Sequence, residues 1–140
     1  MYTCTLSRRT GLLLLLCLYF SFPSFGQTNW QLKSSMNGVQ FFSALTNCNG
    51  NPAVILKFVN TTQNEMKISW KEAFQVKESN TKTEAFYGAK ELVILPGETF
   101  AAGCSEVKNR KCLILPEEAI PTQKVTITDF EFRDITVSRL

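Results

Sequence analysis

Alternation of apolar and polar residues runs through most of the chain and predicts β-strands. Met66, Ile68 and Trp70 each follow one polar residue, which predicts a half-buried strand with its charges outward. Ala53–Asn60 is apolar on both faces and therefore predicts a central strand covered on both sides. The segments with strand-like patterning are Trp30–Lys33, Val39–Thr46, Ala53–Asn60, Met66–Val76 with a bulge near Glu72-Ala73, Glu91–Leu95, Glu98–Cys104, Cys112–Leu115, Lys124–Phe132 and Ile135–Leu140.

Turn signals separate these segments at short intervals. Asn37-Gly38 and Asn49-Gly50 predict hairpin turns, and Pro96-Gly97 predicts a tight turn between two later strands. Helical periodicity is absent from the pattern after residue 26, although Pro116–Pro121 has room for one helical turn. We therefore predict an all-β fold, an antiparallel sandwich of about eight short strands.

The first 26 residues have the pattern of a cleavable signal peptide. Arg8-Arg9 is a basic start, Gly11–Phe20 is apolar, and Ser24 and Gly26 are the small residues that a signal peptidase requires before its cleavage point. The apolar run ends near Phe22, short of the roughly 20 residues that span a bilayer. The sequence thus predicts a cleaved signal at 1–26.

The remaining residues, 27–140, are predicted to form one domain of ordinary size. Such a product has no stable membrane span, and we expect it to be secreted, periplasmic or bound at the cell surface. The chain carries 15 Lys and Arg against 12 Asp and Glu, and removal of Arg8-Arg9 brings the two nearly into balance. Because no basic run remains, a nucleic-acid partner is not expected.

Three cysteines follow the predicted signal, and an oxidising compartment favours one disulfide among them. Three pairings of Cys48, Cys104 and Cys112 are open. A bond between Cys48 and Cys104 would close a long loop and stabilise more in the chain-entropy model. We nevertheless predict Cys104–Cys112, because the polar stretch 105–111 between them is typical of a single loop.

The order of these features resembles immunoglobulin-like and fibronectin type III-like sandwiches. The features that carry the resemblance are Cys48, the strand over 54–59, Trp70, Leu95-Pro96-Gly97-Glu98 and Cys104. The layout and the signal end are also similar to small exported proteins of Gram-negative bacteria. The resemblance implies an immunoglobulin-like fold and no particular function. The chain departs from true immunoglobulin domains in two respects. Cys48 precedes its strand, whereas they have the first Cys within the second strand, and Ala102 stands where they have a Tyr two residues before the second Cys.

The sequence contains few of the residues that catalysis commonly uses. The sequence has no histidine, which excludes Ser-His-Asp and Cys-His catalysis and histidine-ligated metals. Adjacent Glu117 and Glu118 point to opposite sides if extended, and Asp129, Glu131 and Asp134 fit the solvated face of a strand. We predict no enzyme activity, no metal and no cofactor.

Two further patterns concern the surface. Asn60-Thr61-Thr62 is a sequon at a predicted turn, and the sequence does not say whether Asn60 carries a glycan. Trp70 is bracketed by alternating residues of its strand and is assigned to the core. Trp30 instead lies near the predicted cleavage point, and Phe86 and Tyr87 lie in a segment flanked by turns.

We therefore predict that Trp30, Phe86 and Tyr87 contact a ligand or partner. The expected function is an exported, non-catalytic binding or adhesion module that holds a glycan or a protein at the cell surface. The alternative is a structural or assembly component of the cell surface that pairs an edge strand, with Ile135–Leu140 as the candidate.

Overall fold

The structure is a computed structural model. It describes residues 28–79, 81–104, 111–122 and 124–140. The predicted signal peptide, 1–26, lies outside the described residues. Within them the elements are β1 (Gln31–Met36), β2 (Val39–Cys48), β3 (Asn51–Asn60), β4 (Met66–Val76), β5 (Lys82–Glu84), β6 (Lys90–Ile94), β7 (Thr99–Ala101), β8 (Leu113–Ile114), the helical turn α1 (Pro116–Ala119) and β9 (Ile127–Arg139).

The first sheet is built on β3. This strand pairs antiparallel with β2 along its whole length, and β1 pairs with the far side of β2. On its other side β3 pairs with two short strands, β8 at residues 54–55 and β7 at residues 57–59. The central position follows from the sequence of β3, whose residues 53–56 are all buried.

The second sheet repeats this plan around β4. Here β9 pairs antiparallel with one side of β4 from Met66 to Val76. The two short strands β6 and β5 lie end to end on the other side. The two sheets form an antiparallel β-sandwich, and the predicted all-β sandwich is confirmed with nine strands among the described residues.

Both Asn-Gly pairs form the hairpin turns that the sequence predicts. Asn37 and Gly38 have φ of 48° and 78°, and Asn49 and Gly50 have φ of 53° and 87°. Two successive positive φ values define the turn whose twist matches that of paired strands. Glycine is required at position 38 for a second reason, because a Cβ there would lie 2.4 Å from Cγ2 of Thr62.

The core between the sheets is a cluster of aromatic side chains. Trp70 is fully buried, which confirms its assignment to the core, and its ring centroid lies 4.9 Å from that of Phe58. Phe41 packs edge-on against both Phe58 and Phe132, with 5.4 Å between centroids in each case. These rings come from β2, β3, β4 and β9, so each long strand contributes to one shared core.

The last two predicted strands form one continuous strand. β9 runs through Asp134, which has a φ of 48°, and its pairing with β4 is irregular between residues 69 and 71. A single residue in the left-handed region fits a β-bulge, which lets the strand continue beyond a local break in the ladder. The break that the sequence suggests between Phe132 and Ile135 is therefore a bulge.

The predicted disulfide between Cys104 and Cys112 is wrong. Cys48 pairs with Cys104, and their Cα atoms lie 5.3 Å apart. Cys48 ends β2, while Cys104 follows β7, and both of these strands flank β3. Cys112 instead precedes β8 with its side chain fully buried, so its thiol is free and faces the core.

Candidate functional site

The three aromatic residues expected to contact a partner do not form one patch. Trp30 lies beside β1 of the first sheet, where its ring contacts Lys57 of β3. Phe86 and Tyr87 lie in the loop between β5 and β6 of the second sheet, and they point in different directions. Phe86 is exposed, whereas Tyr87 is partly buried against the core.

Phe86 is the most exposed large apolar side chain among the described residues, at 80 %. Two backbone hydrogen bonds hold its loop. The amide of Ala85 donates to the carbonyl of Glu72 at 2.9 Å, and the amide of Phe86 donates to the carbonyl of Ala119 at 3.1 Å. An aromatic ring is thus presented to solvent by a loop that is anchored to β4 and to α1.

Tyr87 provides the third anchor of this loop. Its hydroxyl donates to Oε2 of Glu72, a carboxylate with no exposed surface on its side chain. Burial, and then the charge of Glu72, raises the pKa of Tyr87 well above its usual value. The phenol therefore stays protonated and remains a hydrogen-bond donor to the carboxylate.

Glu72 is the centre of a buried polar cluster that the sequence analysis did not single out. Nε1 of Trp70 donates to its Oε1 at 2.9 Å, and Nζ of Lys90 lies 3.1 Å from the same oxygen. Lys90 also donates to the carbonyl of Lys111 at 2.9 Å and lies 4.3 Å from the ring centroid of Tyr87. Each carboxylate oxygen has a donor, as a buried charge requires.

Cys112 borders this cluster and is unsuited to nucleophilic chemistry. Burial raises the pKa of its thiol to about 12, and the opposing charge of Lys90 does not compensate. The reactive form of a cysteine is the thiolate, so this thiol is inert in the folded chain. The cluster is therefore a structural brace that joins β4, the Phe86 loop, β6 and the segment before β8.

A cleft of about 430 Å³ lies beside α1. Its lining residues are Asn51, Pro52, Pro116, Glu117, Ile120, Pro121, Thr122, Lys124, Val125 and Thr126. The helical turn α1 connects the cleft to the loop that carries Phe86. The carbonyl of Ala119 accepts from the amide of Phe86, and the next residue, Ile120, lines the cleft. The exposed ring and the cleft thus flank the same helical turn.

The acidic residues of β9 form surface ion pairs. Asp129 pairs with Lys33, Glu131 with Lys82, and Asp134 with Lys71. Hydrogen bonds from these lysines lower the pKa values of Glu131 and Asp134 below their usual range. The predicted solvated face is confirmed, since the three acidic side chains are 42–68 % exposed.

The sequon residue Asn60 is buried, at 1 % exposure. Its Nδ2 donates to the carbonyls of Asn64 and Leu95 at 2.8 and 3.0 Å. Its Oδ1 accepts from the amide and the hydroxyl of Thr62 at 3.0 and 2.8 Å. The side chain therefore fastens the end of β3 to the following turn and to the end of β6, and a glycan on Nδ2 is incompatible with this geometry.

The chain matches no protein-family model, no curated protein and no solved structure. Across the described ranges, no three histidine, cysteine or acidic side chains come together as a metal site. In the same ranges no helix has both the length and the apolar character of a membrane span.

Proposed function

We propose that this protein is a non-catalytic binding domain that holds a protein partner through the surface formed by Phe86 and the cleft beside α1. The observation that carries the proposal is the 80 % exposure of Phe86 on a loop with three anchors. A rigid, exposed aromatic ring loses little conformational freedom on binding, which is the character of an interface hot spot.

The cleft favours a protein over a glycan as the partner. Three prolines, Ile120 and Val125 form half of its described lining residues, and none of these lining residues is aromatic. Sugar recognition on a sandwich uses aromatic rings as stacking platforms, which this cleft does not provide. An apolar side chain of a partner fits such a lining, and Phe86 supplies a second anchor across α1.

Three observations support the proposal that the domain is not an enzyme. The sequence has no histidine. The carboxylates of β9 are engaged by lysines on the surface. The carboxylate of Glu72 is enclosed by donors, with no exposed surface on its side chain. General acid–base chemistry needs a carboxyl group that is free to reach substrate and exchange a proton. Glu72 is enclosed, and the exposed carboxylates of β9 are each held by a lysine.

We further propose that the domain acts outside the cytoplasm, after removal of a signal peptide at 1–26. The Cys48–Cys104 disulfide supports this, because such bonds persist mainly in oxidising compartments. The immunoglobulin-like character of the sandwich stays a prediction. Its support is the resemblance in the order of strands, Trp70 and the Pro96-Gly97 turn.

The test places a photo-crosslinking amino acid at position 86 of the full chain, expressed in its native host. The matched control carries the same amino acid at Val93, another exposed apolar position on the second sheet, 44 % exposed. We expect a defined protein adduct from position 86 and none from position 93. Phe86→Ala should abolish copurification of that protein and change the free energy of unfolding by less than about 1 kcal/mol.

Two results would contradict the proposal. One is an unchanged yield of the partner with Phe86→Ala. The other is a glycan that binds the isolated protein and is lost with the same variant, which would show that the surface holds sugar.

Assembly through an edge strand is a second candidate function. β9 spans 13 residues and pairs only with β4 among the described strands, so its other edge is unpaired along most of its length. Nδ2 of Asn37 donates to the carbonyl of Val137 at 3.1 Å. The backbone carbonyl of Val137 therefore points to the unpaired edge of β9.

The backbone of Arg139 points the same way, because alternate residues of a strand share an edge. Arg139→Pro removes one amide from that edge without a deletion that would disturb β4. If the protein assembles by strand addition, this variant should reduce assembly in sedimentation measurements, and Arg139→Ala should not. Equal assembly of both variants would argue against this candidate.

A further inference from the structure

The outer face of the first sheet carries a second aromatic surface, separate from the Phe86 loop. Leu32, Phe42 and Lys57 lie opposite one another on β1, β2 and β3, so their side chains share one face. The neighbouring row, Phe41 opposite Phe58, belongs to the fully buried core. The row with Lys57 therefore faces away from the core.

Two aromatic rings hold the ammonium group of Lys57. Its Nζ lies 4.2 Å from the ring centroid of Phe42 and 5.0 Å from that of Trp30. Both distances are within the range of cation–π attraction. The same face extends to Leu32, which is 55 % exposed. A positive charge is thus fixed in the middle of an apolar, aromatic surface.

Lys57 also differs in its partners from five other lysines of the described chain. Lys33, Lys67, Lys71, Lys82 and Lys90 each form an ion pair with a carboxylate. Within the described residues Lys57 has no such pair and donates no hydrogen bond, so its three N–H donors face only aromatic rings and solvent. Rings attract a cation but do not accept the directional hydrogen bonds that an ammonium group can donate.

We propose that this face, formed by Trp30, Leu32, Phe42 and Lys57, binds an acidic side chain of a protein segment whose neighbouring residues are apolar. Charge complementarity identifies the occupant. The carboxylate would accept hydrogen bonds from Nζ of Lys57, and the flanking apolar groups would cover Leu32 and the rings. The aromatic contacts hold the ammonium group in place before binding, which lowers the entropy cost of forming the pair.

Two matched peptides test this proposal on the full chain: acetyl-Leu-Glu-Leu-amide and its Gln counterpart. The indole N–H signal of Trp30 in an NMR titration reports occupancy of the face. We expect the Glu peptide to bind about tenfold more tightly than the Gln peptide, as a charge-assisted hydrogen bond implies. Added salt should reduce the difference.

Variants assign the effect to the face. Lys57→Gln should remove the preference for the Glu peptide, and Lys67→Gln, on the second sheet, should retain it. Phe42→Leu should weaken binding of both peptides. Equal affinity for the two peptides, or a preference that survives Lys57→Gln, would overturn the proposal. It would also fail if sedimentation shows a dimer that Lys57→Gln dissociates, since the occupant would then be a second copy of this chain.

Discussion

Removal of the positive charge beside Glu72 is the most direct test of the buried polar cluster. Lys90→Met keeps much of the length and the apolar stem of the side chain but leaves the carboxylate with only Trp70 and Tyr87 as donors. Loss of one member of a buried ion pair typically costs about 3–5 kcal/mol. Because the side chain of Lys90 is 14 % exposed, we expect the lower end, about 3 kcal/mol.

The structure offers a matched control on the same pair of strands, β4 and β6. Lys67 pairs with Glu91 at 3.1 Å, but these side chains are 43 % and 57 % exposed. A solvated pair contributes little, so Lys67→Met should change the free energy of unfolding by less than about 1 kcal/mol. Urea denaturation followed by circular dichroism measures both variants under the same conditions.

A double-mutant cycle separates the charge interaction from lost packing. Glu72→Gln alone should cost about 1–2 kcal/mol, since Lys90 can still donate to Lys111 and contact the ring of Tyr87. In the double variant no unpaired charge is buried, so its cost should be smaller than the sum of the two single costs by about 1–3 kcal/mol. Additive costs, or equal costs for Lys90→Met and Lys67→Met, would refute the assignment of the cluster as a charge-paired brace.

Three further predictions concern the disulfide, the sequon and the phenol. Non-reducing peptide mapping should recover Cys48 bridged to Cys104, with Cys112 alkylated only after unfolding; replacing both bridged cysteines by serine should cost about 4 kcal/mol for a loop with a separation of 56 residues. A Cys112-containing bridge in the native protein would contradict this. Asn60→Ala should destabilise by about 3 kcal/mol, because it leaves the buried partners of its amide unsatisfied, and mass spectrometry of folded protein from a eukaryotic secretory host should show no glycan there. Burial and the neighbouring carboxylate raise the pKa of Tyr87, so the phenol loses its proton at a lower pH in the unfolded chain than in the folded one. The free energy of unfolding, measured by urea titration, should therefore decline above about pH 10, and more steeply than in Tyr87→Phe.

The features that sequence predicts well in this protein are the local ones. The alternation over Met66–Trp70 needs only one buried face to produce a strand, and that face is where the structure places it. Each Asn-Gly pair determines its own turn through positive φ values that few other residues adopt. The uninterrupted apolar character of β3 predicts a central strand because only burial on both faces tolerates it.

The disulfide could not be predicted in the same way. Cys104 and Cys112 are close along the chain, and the polar stretch between them is typical of one loop, so the local sequence favours a bond between them. The bond to Cys48 depends on the order of strands, because β2 and β7 lie on either side of β3 and bring their ends together. The larger loop entropy of the long bridge pointed to the correct pair, but only the topology shows that the two side chains meet.

The position of Glu72 could be predicted from the sequence, but its hydrogen-bond partners could not. It is in phase with Trp70 and Phe74, so simple alternation places it on the inward face of β4, although the sequence suggests a bulge at this point. An acidic residue at an inward position implies a buried donor for each oxygen, because an unpaired carboxylate would be too costly to bury. The donors Tyr87 and Lys90 lie beyond β5, and no local pattern connects them to β4. This buried carboxylate also explains why Phe86 is exposed. The hydrogen bond from the hydroxyl of Tyr87 to Glu72 holds Tyr87 inward and leaves Phe86 as the exposed ring of the loop.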